Sequence, residues 1–459
     1  MGTEHWVQTN IGEMAEVIGG GTPDSSDVTN FANETGIAWL TPKDLSGYSD
    51  KYIAKGERFL TKKGFANSSA KLLPTGTVLF SSRAPIGYVA IAANEICTNQ
   101  GFKNFVCSNG LYNEYAYYYL IFAKSELQAM GSGTTFKEIS GSVAKTIPIP
   151  LPPFSEQKRI VEKLDSILPK VKSIKARLDK IPQILKRFRQ SILSAACSGK
   201  LTENWREENH DCEEWKSVFL KDVALSRLGK MLDQSKNCGN PTPYLRNTNV
   251  RWFDFDLHDV FTMKTTKEEL PELWIKKGDV LICEGGEPGR CAIWQGADNS
   301  YIFQKALHRV RVGDTLLGKW LCFNIRDAAN SGRLEDFFTG TTIKHLTGVK
   351  LRTFDFFLPP LEEQHEIVRR VEKLFKLADS LEAKYKKAME RVEKIEQSVL
   401  AKAFRGELAP QDPNDEPAEE LLKRILAEKA IPSIAHKGRR RAKLQTPRKK
   451  PQRSLRPPR

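Results

Sequence analysis

Hydrophobic residues between positions 164 and 192 recur at alternating steps of three and four, which is the spacing of a heptad repeat. The same spacing returns between positions 371 and 399. A stripe with this period predicts a long helix that packs on another helix through one face. The predicted seam residues are Leu164, Ile167, Val171, Ile174, Leu178, Ile181, Leu185, Phe188 and Ile192, followed by Val371, Leu374, Ala378, Leu381, Tyr385, Ala388, Val392, Ile395 and Val399.

The two stripes belong to an internal repeat. PLPPFSEQKRIV at 150–161 returns as FLPPLEEQHEIV at 357–368, and the match runs without a gap at a shift of 207 positions. Residues 151–201 share 16 identities with residues 358–408. The chain is therefore two copies of one unit, each a variable globular half followed by a helical half.

The ends of both helices can be predicted from the same alignment. Each helix would start after Pro-Pro, with Ser155 or Glu362 as a cap, and stop at Gly199 or Gly406. A helix of about 43 residues would be roughly 65 Å long. Pro182, and to a lesser degree a proline at 169, interrupts the first stripe, so we expect a bend near 181–183 and a straighter second helix.

The globular halves mix short apolar runs with Gly-rich turns. Strand-like stretches are TVLFS (77–81), NFVC (104–107), DVLIC (279–283) and CAIW (291–294), and amphipathic helices are predicted at 113–130 and 319–332. Both halves therefore have the pattern of α+β domains of about 150 residues.

Composition changes this picture little. Of 459 residues, 40% are hydrophobic and 28% charged, which is ordinary for a globular protein. The formal charge is +15, but eleven Lys or Arg and no acid lie in residues 437–459, which leaves about +4 for the rest. We expect that tail to be disordered and to add non-specific phosphate affinity. The charge of the body neither proves nor excludes DNA binding.

Several classes of protein and site are not supported by the sequence. No apolar run approaches the roughly 18 residues of a membrane span, and the first residues lack the pattern of a signal peptide, so we expect a cytoplasmic protein without membrane contact. The eight cysteines form no CxxC pair and have no histidine at zinc-ligand spacing, so no metal site is predicted.

Catalytic motifs are also missing. The sequence has no GxxxxGK[ST] loop, and IGGGTP at 18–23 lacks the context of a dinucleotide fingerprint. NPTPY at 240–244 resembles an amino-methyltransferase NPPY motif, but Thr242 breaks the tight turn that the motif needs. The seven histidines are isolated. These observations predict a recognition or scaffold protein, not an enzyme.

The order of a variable domain, an LPPxxEQ helix ending in SGKL, a second variable domain and an LPPxxEQ helix ending in RGEL resembles the specificity subunit of type I DNA restriction–modification systems. The resemblance covers nearly the whole chain. SILSAACSGKLTENWR (191–206), SVLAKAFRGEL (398–408) and AEELLKRILAEKA (418–430) are similar to the enteric, type IA-like branch.

The resemblance implies an α+β fold with two globular target recognition domains, separated by two long conserved helices that pack as an antiparallel coiled coil in a pseudo-twofold internal repeat. We therefore expect target recognition domain 1 in residues 1–150, a central spacer helix in 151–205, target recognition domain 2 in 206–357, a C-terminal spacer helix in 358–410, and a short helix with the basic tail in 411–459.

The resemblance also implies a division of labour. Each domain would read one half of a bipartite, asymmetric sequence in double-stranded DNA, while the helices set the spacing and dock two modification subunits, which methylate adenine. Two restriction subunits, which translocate and cleave DNA, would join them. This chain would bind no cofactor, and S-adenosylmethionine, ATP and Mg²⁺ would act through the partners. A pseudo-twofold protein that spans two half-sites explains the repeated motif.

Direct base readout uses Arg, Lys, Asn and Gln side chains, which we expect here on loops. The candidates for base contacts are Ser82, Arg83, Asn99, Gln100, Lys103, Arg246, Asn247, Asn249, Arg290, Gln304 and Lys305. The GTTFK and GTTIK motifs are shared by halves expected to read different bases, so they should hold phosphates through Thr134, Thr135, Lys137, Thr341, Thr342 and Lys344.

Two other functions stay open at this point. One is a self-contained DNA methyltransferase or restriction enzyme, which methyl transfer by the purified chain alone would favour. The other is a coiled-coil scaffold whose globular halves bind protein, which a lack of sequence-selective DNA binding, even with the modification subunit, would favour. The nearly neutral body further predicts that the isolated chain binds DNA weakly.

Overall fold

A computed structural model describes residues 3, 5–133, 137–209, 213–233 and 235–430. Thr134 and Thr135, and the predicted basic tail beyond residue 430, lie outside the described residues. The chain forms two compact units. Unit 1 combines the residues up to Ile174 with those from Arg391 onward, and unit 2 spans Lys175–Glu390.

Unit 1 contains a mixed globular domain. Its strands are β1 (Val7–Asn10), β2 (Ala15–Gly19), β3 (Phe31–Ala32), β4 (Ile37–Leu40), β5 (Tyr52–Ile53), β6 (Arg58–Leu60), β7 (Val78–Ser81), β8 (Val89–Ala92), β9 (Cys97–Thr98), β10 (Phe102–Cys107) and β11 (Pro148–Leu151). Its shorter helices are α1 (Ile11–Met14), α2 (Lys62–Ala66), α3 (Asn113–Phe122), α4 (Lys124–Met130) and α5 (Gly141–Lys145), with 3₁₀ turns at Val28–Asn30 and Pro42–Leu45.

Unit 2 contains the second globular domain. Its strands are β12 (Lys216–Phe219), β13 (Ala224–Leu228), β14 (Asn240–Leu245), β15 (Val250–Arg251), β16 (Asp254–Phe255), β17 (Phe261–Thr265), β18 (Val280–Cys283), β19 (Cys291–Ile293), β20 (Ile302–Phe303), β21 (Leu307–Val312) and β22 (Asp355–Leu358). Its helices are α7 (Ile181–Cys197), α8 (Glu203–Glu208), α9 (Leu220–Val223), α10 (Leu270–Leu273), α11 (Gly318–Ser331) and α12 (Gly348–Arg352), with 3₁₀ turns at Lys200–Thr202, Asn247–Asn249 and Arg333–Phe337.

Three further helices complete the described chain: α6 (Phe154–Leu178), α13 (Leu361–Phe404) and α14 (Ala418–Ala430). The strand order β2-β10-β7-β8-β5 in unit 1 corresponds to β13-β21-β18-β19 in unit 2. A second sheet follows β3-β6-β4-β9 in unit 1 and β17-β14-β20 in unit 2, and β1 pairs with β11 as β12 pairs with β22. The duplicated topology confirms the predicted internal repeat and the α+β fold class.

The apolar runs explain the central strands. In β7, Val78 and Phe80 pack in the cluster that contains Tyr115 of α3. Leu79, which points to the opposite face, packs with Leu40 in a second cluster. A strand that is buried on both faces must be apolar at every position, which is why TVLFS does not alternate. The predicted strands at 77–81, 104–107, 279–283 and 291–294 and both predicted helices are confirmed, although the first helix is divided between α3 and α4.

The long helices contribute to both units. In unit 1, Leu164 near the start of α6 shares a buried cluster with Leu400 and Phe404 near the end of α13. In unit 2, Ile192 near the end of α7 shares a buried cluster with Val371 near the start of α13. Within each unit, the beginning of one long helix thus packs beside the end of the other, as in an antiparallel coiled coil.

The expected bend in the first long helix is present but lies earlier. Helix α6 ends at Leu178, and α7 begins at Ile181 after a two-residue turn. Pro182 therefore lies in the first turn of α7, where its missing N–H removes no helical hydrogen bond. Helix α13 runs unbroken for 44 residues, which is about 66 Å.

The predicted seam is not continuously buried. Leu164, Val171, Leu185, Ile192, Val371, Ala378 and Val392 are buried. Ile174, Leu381 and Ile395 are 49%, 41% and 47% exposed, so the prediction is wrong at these positions. A segment interrupted at residues 179–180 does not keep one heptad phase, so the two stripes cannot remain opposed along their whole length.

The predicted helix ends are partly confirmed. The helices begin at Phe154 and Leu361, so Ser155 and Glu362 lie in the first turn and do not form the cap. Gly199 and Gly406 have φ angles of +77° and +71°, the left-handed conformation that ends many helices.

The repeated Glu-Gln pair is buried and bonds to the globular domain of its unit. The Gln157 side chain donates to the Gly110 carbonyl at 3.0 Å and accepts from the Tyr112 N–H at 2.8 Å. Gln364 makes the same two contacts with the Thr315 carbonyl and the Leu317 N–H, both at 2.8 Å.

The glutamate of each pair binds a tryptophan that precedes the first strand. Glu156 accepts from the Trp6 indole at 3.2 Å, and Glu363 accepts from the Trp215 indole at 2.7 Å. Both carboxylates are almost completely buried. The PPxxEQ motif is repeated because each copy fixes a long helix to a globular domain through these contacts.

Candidate nucleic-acid interface

A short loop follows β9 in unit 1 and β20 in unit 2, and the same backbone bonds hold both loops. The Gly21 N–H donates to the Thr98 carbonyl at 2.8 Å, as the Lys230 N–H donates to the Phe303 carbonyl at 3.0 Å. The next residues, Asn99 and Gln304, donate their N–H groups to carbonyls of the neighbouring strands β4 and β14 at 2.8 and 3.0 Å. The two loops therefore have the same backbone hydrogen bonds but carry different side chains.

These loops carry four of the predicted contact residues. Asn99 and Gln100 lie on the first loop, and Gln304 and Lys305 take the same places on the second. Gln100 and Lys305 are exposed, whereas Asn99 and Gln304 are half-buried. Gln100 accepts a hydrogen bond from the Thr22 hydroxyl. The pairs Asn-Gln and Gln-Lys present different sets of donors and acceptors, as two different half-sites would require.

A glycine allows each loop to approach the sheet. A Cβ atom placed on Gly20 would lie 1.9 Å from the Asn99 carbonyl oxygen, and one on Gly229 would lie 2.3 Å from the Gln304 carbonyl oxygen. Both glycines directly follow the first strand of the main sheet. Sequence reasoning rejected IGGGTP as a dinucleotide fingerprint and missed this close approach, which the glycine shared by VIGG and SRLG could have indicated.

Gly20→Ala should destabilise unit 1 by about 1–3 kcal/mol, because a methyl group there overlaps backbone atoms. Gly19→Ala is the matched control, since nothing lies within 4 Å of a Cβ at that neighbouring position. Thermal unfolding of the two variants of the full chain would measure the difference. Equal midpoints would contradict the close approach.

The predicted SSRAP turn contains one buried and one accessible candidate. Ser82 is fully buried and donates to the Gly101 carbonyl at 3.1 Å, so it supports the Asn99 loop and cannot contact a base in this conformation. Arg83 is 35% exposed and lies 3.7 Å from the Glu138 carboxylate. Lys103, which is 12% exposed, ion-pairs with the same carboxylate at 3.1 Å. Arg83 therefore remains the accessible cation of this group.

The candidates of the LRNTN segment mostly bond to neighbouring backbone carbonyls and acids. Asn249 is buried and donates to the carbonyls of Asp256 and Asp259 at 2.9 and 3.0 Å, which excludes it as a base contact in this conformation. Arg246 pairs with Asp259 at 2.6 Å and lies over a phenylalanine ring. The Asn247 amide donates to a backbone carbonyl at 3.1 Å. Since these side chains already bond within their own domain, their role is to stabilise the loop.

Arg290 belongs to the same network. Its guanidinium donates to the Asn247 carbonyl at 2.8 Å and pairs with Glu287 at 2.9 Å. The side chain is 16% exposed. A contact to DNA would require Arg290 to leave these partners, whereas Gln304 and Lys305 make no side-chain hydrogen bond or ion pair among the described residues.

Beside each loop lies a polar cluster whose acidic residue sequence reasoning missed. In unit 1 it comprises Lys103 and Glu138. In unit 2, Glu284 pairs with His345 at 3.1 Å, and the ring of His308 bonds to the Leu346 carbonyl at 2.7 Å. Burial lowers the pKa of His308, which favours its neutral form. The acids of the two clusters lie on different segments, so an alignment of the repeats does not superpose them.

The GTT motifs are described in one half only. Thr341 and Thr342 are exposed, and Gly340 before them has a φ angle of +90°. Lys344 is paired with Glu335 at 2.7 Å on the surface. In the other half, Lys137 is exposed. Hydroxyl groups on an exposed turn are suited to phosphate oxygens.

Other kinds of site receive no support. Among the residues that the structure describes, no group of three His, Cys, Asp or Glu side chains could hold a metal ion. Within the same ranges, no helix is long and apolar enough to cross a membrane. A cavity of about 840 Å³ in unit 2 is lined by Cys197, Trp215 and Arg333, and none of the predicted contact residues lines it.

Comparison with known proteins gives one consistent result. A family model described as type I restriction modification DNA specificity domain matches residues 3–183 and 212–391. The type I restriction enzyme EcoKI specificity subunit of Escherichia coli (strain K12) is 29% identical over 454 residues, which cover 93% of this chain and 96% of that protein. The StySPI specificity subunit of Salmonella potsdam is 32% identical over 343 residues, which cover 70% and 72%.

The fold also matches a solved structure. The HsdS subunit from Thermoanaerobacter tengcongensis superposes with a TM-score of 0.58 at 19% identity, covering 88% of this chain and 98% of that one. At this level of identity the likeness supports the fold alone.

Proposed function

The chain belongs to the type I restriction–modification DNA specificity family, and from this premise we propose how its two globular domains recognise DNA. It is a specificity subunit and not an enzyme. Its two recognition domains each read one half of a bipartite, asymmetric DNA target, and the helices set the spacing. The chain thereby directs methylation, and with the restriction subunits cleavage, by other members of the complex.

One observation carries the proposal for the residues. The loops after β9 and β20 have the same backbone bonds but different side chains, Asn99 and Gln100 in one and Gln304 and Lys305 in the other. Two domains that read different half-sites need different hydrogen-bonding side chains, and here such side chains stand on loops with the same backbone structure. We place Gln100, Gln304 and Lys305 against base edges, because they lie at the matching loops without an ion pair in the described structure.

The remaining candidates receive supporting or phosphate-binding roles. Arg83 is placed at the first half-site, close to the Asn99 loop. The Asn99 side chain holds its loop by accepting from the Gly101 N–H at 2.9 Å. The contacts described above give Lys103, Arg246, Asn247 and Arg290 the same supporting role. We propose that Lys137, Thr341 and Thr342 bind phosphates, with Lys344 after release from its surface ion pair, since exposed pairs are weak. Thr134 and Thr135 stay predictions.

The chain acts in a complex with DNA and the other restriction–modification subunits. We further propose two modification and two restriction subunits, because a duplicated chain offers two equivalent docking surfaces. S-adenosylmethionine, ATP and Mg²⁺ would bind to those partners. We propose a cytoplasmic location, because the proposed partner is DNA, both that of the cell and foreign DNA that enters it.

The test is to map methylated adenines by long-read sequencing in cells that carry this chain together with a cognate modification subunit. Cells with the modification subunit alone are the control. We expect a split motif that requires this chain, which would give both half-sites and their spacing. Methylation that is unchanged by the presence of the chain would contradict the proposal.

A further inference from the structure

In each unit a loop connects the recognition domain to the long helix that begins there, α6 in unit 1 and α13 in unit 2. One loop makes an ionic contact and the other an apolar contact. The loop of unit 1 follows the 3₁₀ turn Pro42–Leu45, and that of unit 2 follows the 3₁₀ turn Asn247–Asn249. The Lys51 carbonyl accepts from an N–H of β8 at 2.8 Å, and the Phe253 N–H donates to a carbonyl of β19 at 2.9 Å. The two loops therefore run beside matching strands. Lys51 and Phe253 also contact the same position of the domain helix, which is Tyr118 on α3 and Phe323 on α11.

In unit 1 the contact is ionic. The Lys51 ammonium lies 2.6 Å from the Asp165 carboxylate on α6 and pairs with Glu114 on α3. The Tyr52 hydroxyl donates to Glu114 at 2.5 Å. Lys51 and Glu114 are 16% and 13% exposed, so solvent screens this pair only in part. One cation from the recognition domain thus joins the domain's own helix to the spacer helix.

Lys51 neutralises two acids that would otherwise face each other. Burial acts to raise the pKa of Glu114, but hydrogen bonds from Lys51 and Tyr52 outweigh it and the pKa is lowered. The Tyr118 hydroxyl donates to Asp165 and its ring lies 4.9 Å from the Lys51 ammonium. Removal of the cation would leave two carboxylates close together, which is unfavourable for both.

In unit 2 the residue on the domain helix has the opposite charge. Lys319 on α11 matches Glu114 on α3, because the residues two positions before them, Leu317 and Tyr112, make the same bond to the repeated glutamine. Glu372 on α13 matches Asp165 at the shift of 207. Lys319 pairs directly with Glu372, so no further cation is needed. The loop instead supplies Phe253, whose ring centroid lies 5.9 Å from that of Phe323 and 6.2 Å from that of Phe375. An apolar contact therefore replaces the ionic one.

We propose that Lys51 and Phe253 are matched positioning residues that hold each recognition domain on its spacer helix. The residue at position 114 or 319 decides which chemistry is required: an acid there demands a cation from the loop, and a lysine there permits an aromatic ring. This inference rests on the proposed function, since it predicts how strictly the complex measures the distance between half-sites.

The test uses the full chain with its modification subunit and the split target found by methylation mapping. The readout is the ratio of methylation rates on that target and on targets with a spacer one base pair longer or shorter. Lys51→Phe should reduce this ratio about tenfold or more, because it leaves Glu114 and Asp165 without a cation. Lys51→Phe combined with Glu114→Lys, which recreates the unit 2 arrangement, should restore the ratio to within about twofold of the parent.

The reciprocal pair is the matched control in unit 2. Phe253→Lys should reduce the ratio, because it places a second ammonium group beside Lys319. Adding Lys319→Glu should restore it, because the ammonium group introduced on the loop could then join the two acids. Lys51→Arg, which keeps the charge, should retain most of the discrimination in unit 1. Hydrogen exchange of residues 48–52 and 160–170 would report the loss of the contact even where a variant methylates too slowly to measure.

The outcomes separate the two proposals. If the parent chain directs no split motif, the proposed function fails and this inference fails with it. If the parent directs a motif but Lys51→Phe keeps its spacer ratio and its hydrogen exchange, only the positioning role is overturned. A double variant that is no better than the single one also overturns it, because the loss would then be a general effect of the substitution and not of unpaired charge.

Discussion

Glu363→Ala is expected to destabilise unit 2 by about 2–4 kcal/mol, because it removes a buried carboxylate that satisfies several hydrogen-bond donors. Glu363 is fully buried. Its carboxylate accepts from the Thr202 hydroxyl and the Trp215 indole, both at 2.7 Å, and it pairs with Arg206. Alanine would leave the Thr202 hydroxyl, which is buried, and the indole N–H without their acceptor, and each unsatisfied buried group is unfavourable.

The effect is large compared with the stability of a typical domain, which is about 5–15 kcal/mol. Chemical denaturation of the full chain, followed by tryptophan fluorescence, would measure it, since Trp215 and five other tryptophans lie in unit 2. Glu362→Ala is the matched control, since that neighbouring side chain is exposed and should change stability by no more than about 0.5 kcal/mol. If the two variants unfold at the same denaturant concentration, the carboxylate does not hold the helix to the domain.

Glu156 at the equivalent place shows why the repeat could be found from the sequence while its meaning could not. The identities from Leu151 to Leu201 are visible because both copies keep the same contacts. The tryptophans that those contacts need lie about 150 residues away, at Trp6 and Trp215. No periodic pattern in a sequence links two residues that lie so far apart in the chain.

The helices illustrate the limits of periodic patterns. The heptad stripes correctly predicted helical structure in both segments, although the first is divided into α6 and α7, and the glycines correctly predicted where each segment ends. The stripe did not predict the exposure of Ile174, Leu381 and Ile395, because burial depends on which partner faces a residue and not on spacing alone. Pro182 was correctly identified as incompatible with a continuous helix, and the structure avoids the conflict by starting a new helix just before it.

The candidate contact residues were chosen by residue type and loop position, and this rule could not separate exposed groups from buried ones. Ser82 and Asn249 satisfy the rule but are buried and bonded to backbone carbonyls. The match between the Asn99 and Gln304 loops is only faint in the sequence, since TNQGFKNF (98–105) and IFQKALHR (302–309) share few residues. It emerges from the backbone bonds, which any sequence can make.

The combined variant Gln304→Ala and Lys305→Ala should relax base selection in one half-site only. A well-placed bidentate contact contributes about 1–3 kcal/mol of discrimination. We therefore expect the preference for the correct base to fall by roughly 10- to 100-fold at positions within the half-site read by unit 2. The other half-site should keep its preference, because Asn99 and Gln100 are unchanged.

The measurement is the methylation rate on targets that carry each alternative base at every position of both half-sites. Thr341→Ala with Thr342→Ala supplies the contrasting case, since loss of phosphate contacts should slow methylation of all these targets alike. The salt dependence of binding should stay unchanged, because a threonine hydroxyl is neutral. Lys373→Ala, an exposed change on α13, controls for loss of positive charge. If the loop variant weakens every target equally, the loop holds phosphates and base readout must come from elsewhere in the domain.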